Sequence, residues 1–274
     1  MCKVLKVNRA SYYHWINSGS VMKKVDTKLN ELIEFIFSEG RNNYGTRRIK
    51  NKLLLNYGLF VSRKRISSIM KDLSLKVKMK RRYKNTTDSN HNLPIAPNIL
   101  NRDFYASNVN EKYVGDITYI STGEGWLYLA TVIDLYSRKI VGWSMSDNMK
   151  VTLTNDALNM AINNRKPPNG LIWHTDRGSQ YASYEHKNLL KRNGIIQSMR
   201  RSGNCLDNAV AESFFHTLKT ELTHHKIYHT KAQANQDIFE YIEVFYNRQR
   251  SHGANNNLSP VEFEEKMLQA ETTA

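Results

Sequence analysis

Cysteine is nearly absent from this chain. Two of 274 residues, Cys2 and Cys205, lie far apart with no C-x-x-C, which excludes a disulfide framework and a cysteine zinc cluster and implies a reducing compartment. No apolar run approaches the ~20 residues that a membrane helix needs. The opening stretch MCKVLKVNRASYYHW has no apolar h-region and no small-residue cleavage site, so the expectation is a cytoplasmic protein. No G-x-x-x-x-G-K-[ST] is present to bind a nucleotide, and there is no internal repeat or sustained heptad. Proline occurs five times, at Pro94, Pro97, Pro167, Pro168 and Pro260, and so punctuates the chain at few places. What remains is globular: 40% hydrophobic and 24% charged residues, in a length that suggests roughly two domains.

Acidic residues are scarce in the first third. Residues 1–84 hold 21 basic and 5 acidic side chains, whereas residues 85–274 hold 19 and 20, so the net charge of +15 belongs to the first region. A polyanion, most simply nucleic acid, is the partner such a region suits. Leu29, Leu32, Ile33, Ile36 and Phe37 form the stripe of a helix between Asp26 and Gly40. A second helix is predicted from Thr46 to Gly58 and a third after Ser62, with Arg63, Lys64 and Arg65 in its first turn. Two short helices with a glycine-containing turn, the second starting with exposed basic residues, read as a helix-turn-helix over about 46–74. A solvated basic hairpin is the plainer alternative. Lys76 to Lys84 is a basic run in which Lys78, Lys80, Arg81 and Arg82 suit contact with phosphates rather than bases.

From Asn85 to about residue 108 the composition turns to Asn, Thr, Ser and His with two prolines, a linker signature. Three strand patterns follow: KYVGDITYI, LYLATVIDL and KIVGWSM. Val151 to Asn164 is a predicted helix, LIWH (171–174) a short buried strand, Ser183 to Asn193 a helix, and IIQSM (195–199) a fifth strand. From Asn208 onward the pattern is helical with interruptions. The order βββαβαβα predicts an α/β mixed sheet with helices on its faces at 109–222, followed by a helical extension at 223–274.

Three carboxylates stand where this pattern makes them conspicuous. Asp116 interrupts the apolar first strand, where a charge costs several kcal/mol unless compensated. Asp176 falls at the carboxyl end of the fourth strand, where open α/β sheets gather ligands. Glu212 lies beside the packing stripe Ala211, Phe214, Phe215, Leu218 and Leu222, on an edge that continues through His216 and Lys219. Convergence of the three requires cations. Carboxylate oxygens suit Mg²⁺ or Mn²⁺, and two such ions activate the attacking oxygen and stabilise the leaving one in phosphoryl displacement.

The strand KYVGDITYI, the following LYLATVIDLYSRKIVGWSM, the segment HTDRGSQY and the helix AVAESFFHTLKTEL together closely resemble the catalytic frame of bacterial insertion-sequence transposases. These are members of the retroviral-integrase superfamily, with a D,D,E triad on an RNase H-like fold. Thirty-five residues separate Asp176 from Glu212, and Lys219 follows Glu212 by seven, as in that group. YGTRRIKNKL near the start and YNRQRSHGANNNLSPVEFEE near the end extend the resemblance over nearly the whole chain.

The resemblance implies that Asp116 bridges two metal ions, that Asp176 and Glu212 each hold one, and that Lys219 contacts DNA near the cleavage site. It implies hydrolysis at an element end, then attack by the freed 3′-OH on another strand, and no organic cofactor. It further implies double-stranded DNA as substrate and target, a homo-oligomer on that DNA, and an upstream-frame recognition polypeptide, fused or separate. Such a protein works at the bacterial nucleoid. The cysteines of the zinc module that opens retroviral integrases are missing here.

Several other residues compete. Asp134 is a rival ligand, expected to pair with Arg138 in the following turn; Asp207 is expected to cap the helix that begins at Asn208. His174 faces the same side as Asp176 if the strand continues, and reads as a structural histidine. His224, His225 and His229 have a metal-like spacing but no cysteine nearby. Arg177, Gly178 and Ser179 form a polar loop suited to a phosphate, and Asn204 and Asn208 flank a loop suited to DNA contact. Two further functions compete with transposition: a DNA-binding regulator without chemistry, and a nuclease of the same fold that hydrolyses without joining. Serine or tyrosine recombination is disfavoured, because no nucleophile sits within an arginine cluster in the second region.

Overall fold

The protein is described by a computed structural model covering residues 2, 4, 7–17, 26–78, 93–201 and 205–272. It divides into two compact units, Met1–Val77 and Lys78–Ala274. The first begins with α1 (Arg9–Asn17), outside the predicted elements, and continues through α2 (Thr27–Glu39), α3 (Thr46–Tyr57) and α4 (Arg63–Asp72). Asp26 starts α2 by accepting from the Leu29 amide, and Ser62 starts α4 by accepting from that of Arg65, each satisfying a donor that a helix start leaves orphaned. The apolar stripes of α2, α3 and α4 close over Ile33, Ile36, Ile49, Leu53 and Ile66, all fully buried.

The second unit is built on β1 (Lys112–Thr122), β2 (Gly125–Asp134), β3 (Ile140–Ser146), β4 (Ile172–Thr175) and β5 (Ile196–Met199). They form one sheet in the order β3-β2-β1-β4-β5, in which β2 is antiparallel to both β1 and β3, and β4 and β5 are parallel to β1. The helices are α5 (Val151–Arg165), the single turn α6 (Ser179–Ala182), α7 (Tyr184–Arg192), α8 (Ala209–Glu221), α9 (Lys231–Glu240) and α10 (Pro260–Thr272). Strand side chains alternate between faces. Tyr113 of β1 joins Leu153, Ala157, Leu158 and Leu190 of α5 and α7, whereas Val114 and Ile120 join Ala211, Phe214, Phe215 and Leu218 of α8. Even-numbered β1 residues therefore face α8, and Asp116 is one of them.

Two glycines permit the close approaches this layering needs. A Cβ on Gly115 would run into the Trp173 ring, and one on Gly142 into the α5 backbone at Ala157.

Residues 93–108, within the segment whose composition predicted a linker, are packed onto the sheet. The Ile99 and Leu100 amides donate to Ser198 Oγ at 2.9 and 3.1 Å, and Leu100 and Ala106 are buried in the α8 core. The polar side chains here serve long-range bonds that composition does not distinguish from solvation. Residues 85–92 lie outside the described residues.

The C-terminal extension is likewise part of the core. Tyr241, Ile242, Phe245 and Tyr246, on a π-helical stretch after α9, pack under the sheet. Asn247 is buried and imitates a strand: its Oδ1 accepts from the Ile140 amide at 2.9 Å and its Nδ2 donates to the Ile140 carbonyl at 3.0 Å. Arg250 makes a buried pair with Glu221 at 2.8 Å, and Glu264 of α10 receives Arg165 at 2.7 Å.

Candidate active site

The parallel register of β1, β4 and β5 aligns the functional side chains. Val114 pairs with His174, and Thr175 pairs with Met199. Continuing that register sets Asp116 level with Asp176, and Asp176 level with Arg200, whose amide donates to the Thr175 carbonyl at 2.9 Å. Neighbouring strands run ~4.8 Å apart, so two carboxylates and a guanidinium-bearing residue form one row across the open end of the sheet. One layer below, His174 Nδ1 meets Ser198 Oγ at 2.8 Å, and burial lowers the His174 pKa to about 4. Glu212 comes to the same face from the first turn of α8 and is exposed.

The electrostatics follow the row. Desolvation, and then the charge of Asp176, pushes the Asp116 carboxyl up to about 8; Arg200 opposes that rise and Glu212 adds to it. Partial desolvation raises Glu212 as well, although its side chain stays exposed, and Arg200 again opposes the rise. Backbone amides accompany both aspartates: Ile117 N–H donates to Asp116 Oδ1 and Gly178 N–H to Asp176 Oδ1, each at 2.9 Å. Among the described residues no three His, Cys, Asp or Glu side chains gather tightly enough to hold a metal ion. Carboxylates brought to one face repel one another, and the Asp176 and Glu212 charges act on Asp116 in this way.

Lys219, two turns along α8 from Glu212, places its Nζ 5.1 Å from the centroid of the Tyr119 ring and within electrostatic reach of Asp116. Burial lowers its pKa. In the first unit Arg63, Lys64 and Arg65 are exposed at the start of α4; Arg65 meets Asp26 at 3.0 Å and Arg63 Nε donates to Thr46 Oγ1 at 3.3 Å. Lys78 is partly exposed, while Lys80, Arg81 and Arg82 lie outside the described residues, as does Asn204.

The rival acids have other partners than expected. Asp134 is fully buried; it accepts from the Asn110 and Tyr136 amides and pairs with Arg165 at 3.4 Å, while the Arg138 guanidinium donates to the Phe104 carbonyl. Asp207 does not cap α8. It receives Asn98 Nδ2, Arg102 Nε and three N–H groups of Arg201 at 2.8–3.2 Å, and the Arg201 hydrogen bond foremost holds its carboxyl well below the usual range. His225 Nε2 lies 2.7 Å from the Thr220 carbonyl, and the three histidines form no metal cluster. Arg177 Nε donates to the Arg200 carbonyl at 2.7 Å. Arg200 is the site residue that the sequence pattern overlooked, because only the β4–β5 register assigns it to the row.

An antiparallel three-stranded meander continued by two parallel strands, with acids at the open end of its centre, defines an integrase-type catalytic core. The integrase core domain family matches residues 106–205, a second integrase core domain family matches 212–268, and an HTH-like domain family matches 24–83. The chain is 45% identical to the "Insertion element IS600 uncharacterized 31 kDa protein" of Shigella sonnei, over 98% of this chain and 99% of that one. It is 40% identical to "Transposase InsF for insertion sequence IS3A" of Escherichia coli strain K12, over 98% and 94%. In fold it is similar to a chain of the simian T-cell lymphotropic virus intasome, with a TM-score of 0.50, 14% identity, and coverage of 85% and 74%.

The chain belongs to the insertion-sequence transposases of the InsF type. It is a DNA transposase with an integrase core and an HTH-like DNA-binding region. No described helix is long and apolar enough to cross a membrane.

Proposed function

We propose that this transposase hydrolyses a phosphodiester at each end of its element and joins the freed 3′-OH to another strand, with Asp116, Asp176 and Glu212 as its catalytic carboxylates. The observation that supports this assignment is the register row: two adjacent parallel chain segments present acids at one level, on the face to which α8 brings Glu212. The donor set fits two Mg²⁺ or Mn²⁺ ions, since all three groups are hard oxygen ligands and the Asp116–Asp176 repulsion is what a divalent cation removes. Bound there, the ions supply Lewis-acid charge to the attacking and leaving oxygens. Asp116, Asp176 and Glu212 would hold the ions between them.

The remaining residues handle DNA. Lys219 sets an ammonium beside Asp116, where it neutralises a phosphate next to the reacting one. Arg63, Lys64 and Arg65 present charge at a helix start, and with Lys78, Lys80, Arg81 and Arg82 they follow the phosphate backbone. In this reading residues 1–84 bind DNA and 109–222 carry the chemistry. Two copies hold two element ends, an upstream-frame polypeptide adds end recognition, and the work takes place at the nucleoid.

Labelled DNA carrying the element's ends, incubated with Mg²⁺ or Mn²⁺, tests the assignment. Wild type yields cleaved and joined products, and Asp176→Asn or Glu212→Gln reduces both to background with DNA binding intact. Cleavage without joining makes the protein a nuclease; DNA binding without chemistry in wild type makes it a regulator.

A further inference from the structure

Beyond the carboxylate row, two aromatic side chains of the β1–β2 hairpin belong to neither core. Tyr119 and Trp126 meet edge to face, with ring centroids 4.8 Å apart and planes at 85°, and Trp126 remains 50% exposed. Ser121 pairs with Trp126 and Tyr119 with Tyr128, so the two rings are diagonal neighbours on one sheet face. Tyr128 packs against the α5 core, whereas Tyr119 and Trp126 lie past its end. Half of the indole surface is left in water, which offers a free aromatic face to a partner. The chemistry of that partner is set by what stands beside the rings. Lys219 places its ammonium over Tyr119 and within electrostatic reach of Asp116, so this one α8 side chain links the rings to the carboxylate row although Tyr119, an odd-numbered β1 residue, belongs to the opposite sheet face.

We propose that Trp126, braced by Tyr119, is a stacking ledge for an unpaired base of the DNA strand being processed, with Lys219 holding the phosphate between that base and the carboxylate row. A paired duplex has no free base face to offer an indole, so the ledge selects DNA that is frayed or single-stranded near the reacting phosphate. Aromatic rings flanked by a cation bind such bases irrespective of sequence. The neighbouring ammonium also favours a polyanion over a neutral protein surface. The inference rests on the catalytic reading above and adds the state of the DNA that the site accepts.

The test compares two probes on the full chain: a blunt duplex, and the same duplex with a three-nucleotide single-stranded 3′ overhang containing 2-aminopurine. Wild type binds the overhang probe about 5- to 150-fold more tightly, the range for one stacked base, and quenches its fluorescence. Trp126→Ala loses the preference and the quench while holding the blunt duplex within about twofold; Trp126→Phe, measured alongside by circular dichroism, keeps most of both. A preference that survives Trp126→Ala, or is missing in wild type, overturns the ledge. So does a Trp126→Ala effect on self-association alone, which makes the patch a protein contact. Cleavage by wild type that is abolished in Asp176→Asn shows in the same experiments that the catalytic reading stands whether or not the ledge does. Absence of both cleavage and binding removes the two together.

Discussion

The indole N–H of Trp173 donates to Nε2 of His186 at 2.9 Å, with both side chains buried between the sheet and α7. Because Nε2 accepts, the ring proton resides on Nδ1 and is donated to Asn155 Oδ1 at 2.7 Å, and Asn155 Nδ2 in turn donates to Glu185 Oε1 at 2.9 Å. The chain of bonds fits only neutral imidazole, and burial lowers the His186 pKa to about 4.

Acid should therefore loosen the catalytic unit through this residue. A histidine whose folded pKa lies below its unfolded value of about 6.5 stabilises the fold fully above 6.5 and loses that contribution as pH falls toward 4. The loss is on the order of 3 kcal/mol at ~1.4 kcal/mol per pH unit. Urea unfolding at pH 7, 5.5 and 4.5 should show it, and His186→Gln should flatten the part of the slope due to this site. An unchanged slope in that variant would assign the acid sensitivity elsewhere.

Gly115→Ala should destabilise the sheet, because its methyl has no room beside Trp173. Overpacking of this kind costs about 1–3 kcal/mol. Gly45→Ala is the control: its φ is −84° and nothing lies within 4 Å of the added carbon, so the only cost is that of a poorer helix cap, on the order of 0.5–1 kcal/mol. Equal melting shifts in the two variants would show that Trp173 gives way.

Asp207→Asn should weaken the junction between residues 98–102, the end of β5 and the start of α8. The carboxylate is fully buried and takes five hydrogen bonds, but Arg102 and Arg201 are about half exposed and recover water when released. About 1–3 kcal/mol of destabilisation follows, with a larger fractional loss of cleavage than of DNA binding, since Glu212 stands one turn beyond this anchor. Melting curves and gel-resolved cleavage separate the two effects.

Arg200→Gln should act in the opposite proportion. The backbone of Arg200 completes the β4–β5 ladder, and glutamine keeps that bond, so melting should hardly move. Loss of the guanidinium removes the positive end of the carboxylate row, and cleavage should fall about tenfold, equivalent to ~1.4 kcal/mol. Unaltered cleavage would mean that the charge serves only to steady the free protein.

Much of this architecture can be read from the chain. Asp26, Ser62 and Ser183 mark helix starts because a short polar side chain satisfies the first free amides. The alternation along KYVGDITYI identifies β1, and the spacing of Asp176, Glu212 and Lys219 singles out the acids through family resemblance. Asp134 pairs with Arg165, 31 positions away, rather than with Arg138 in the next turn. Asp207 takes Arg201, six positions before it, together with Asn98 and Arg102, 109 and 105 positions away, rather than capping the adjacent helix. Asn247 reaches Ile140 across 107.

Sequence alone determined the charge division and most of the helix and strand segments, and it singled out the three acids as candidates, since each depends on local periodicity, capping or fixed spacing. Tertiary structure decided that residues 93–108 and the C-terminal extension belong to the core. It also decided that Arg200 shares a row with Asp116 and Asp176, and that Trp126 is left outside the packing. Those facts depend on strand register and on which distant polar groups find one another. Hydrogen bonds and ion pairs between remote residues leave no periodic trace in the chain that makes them.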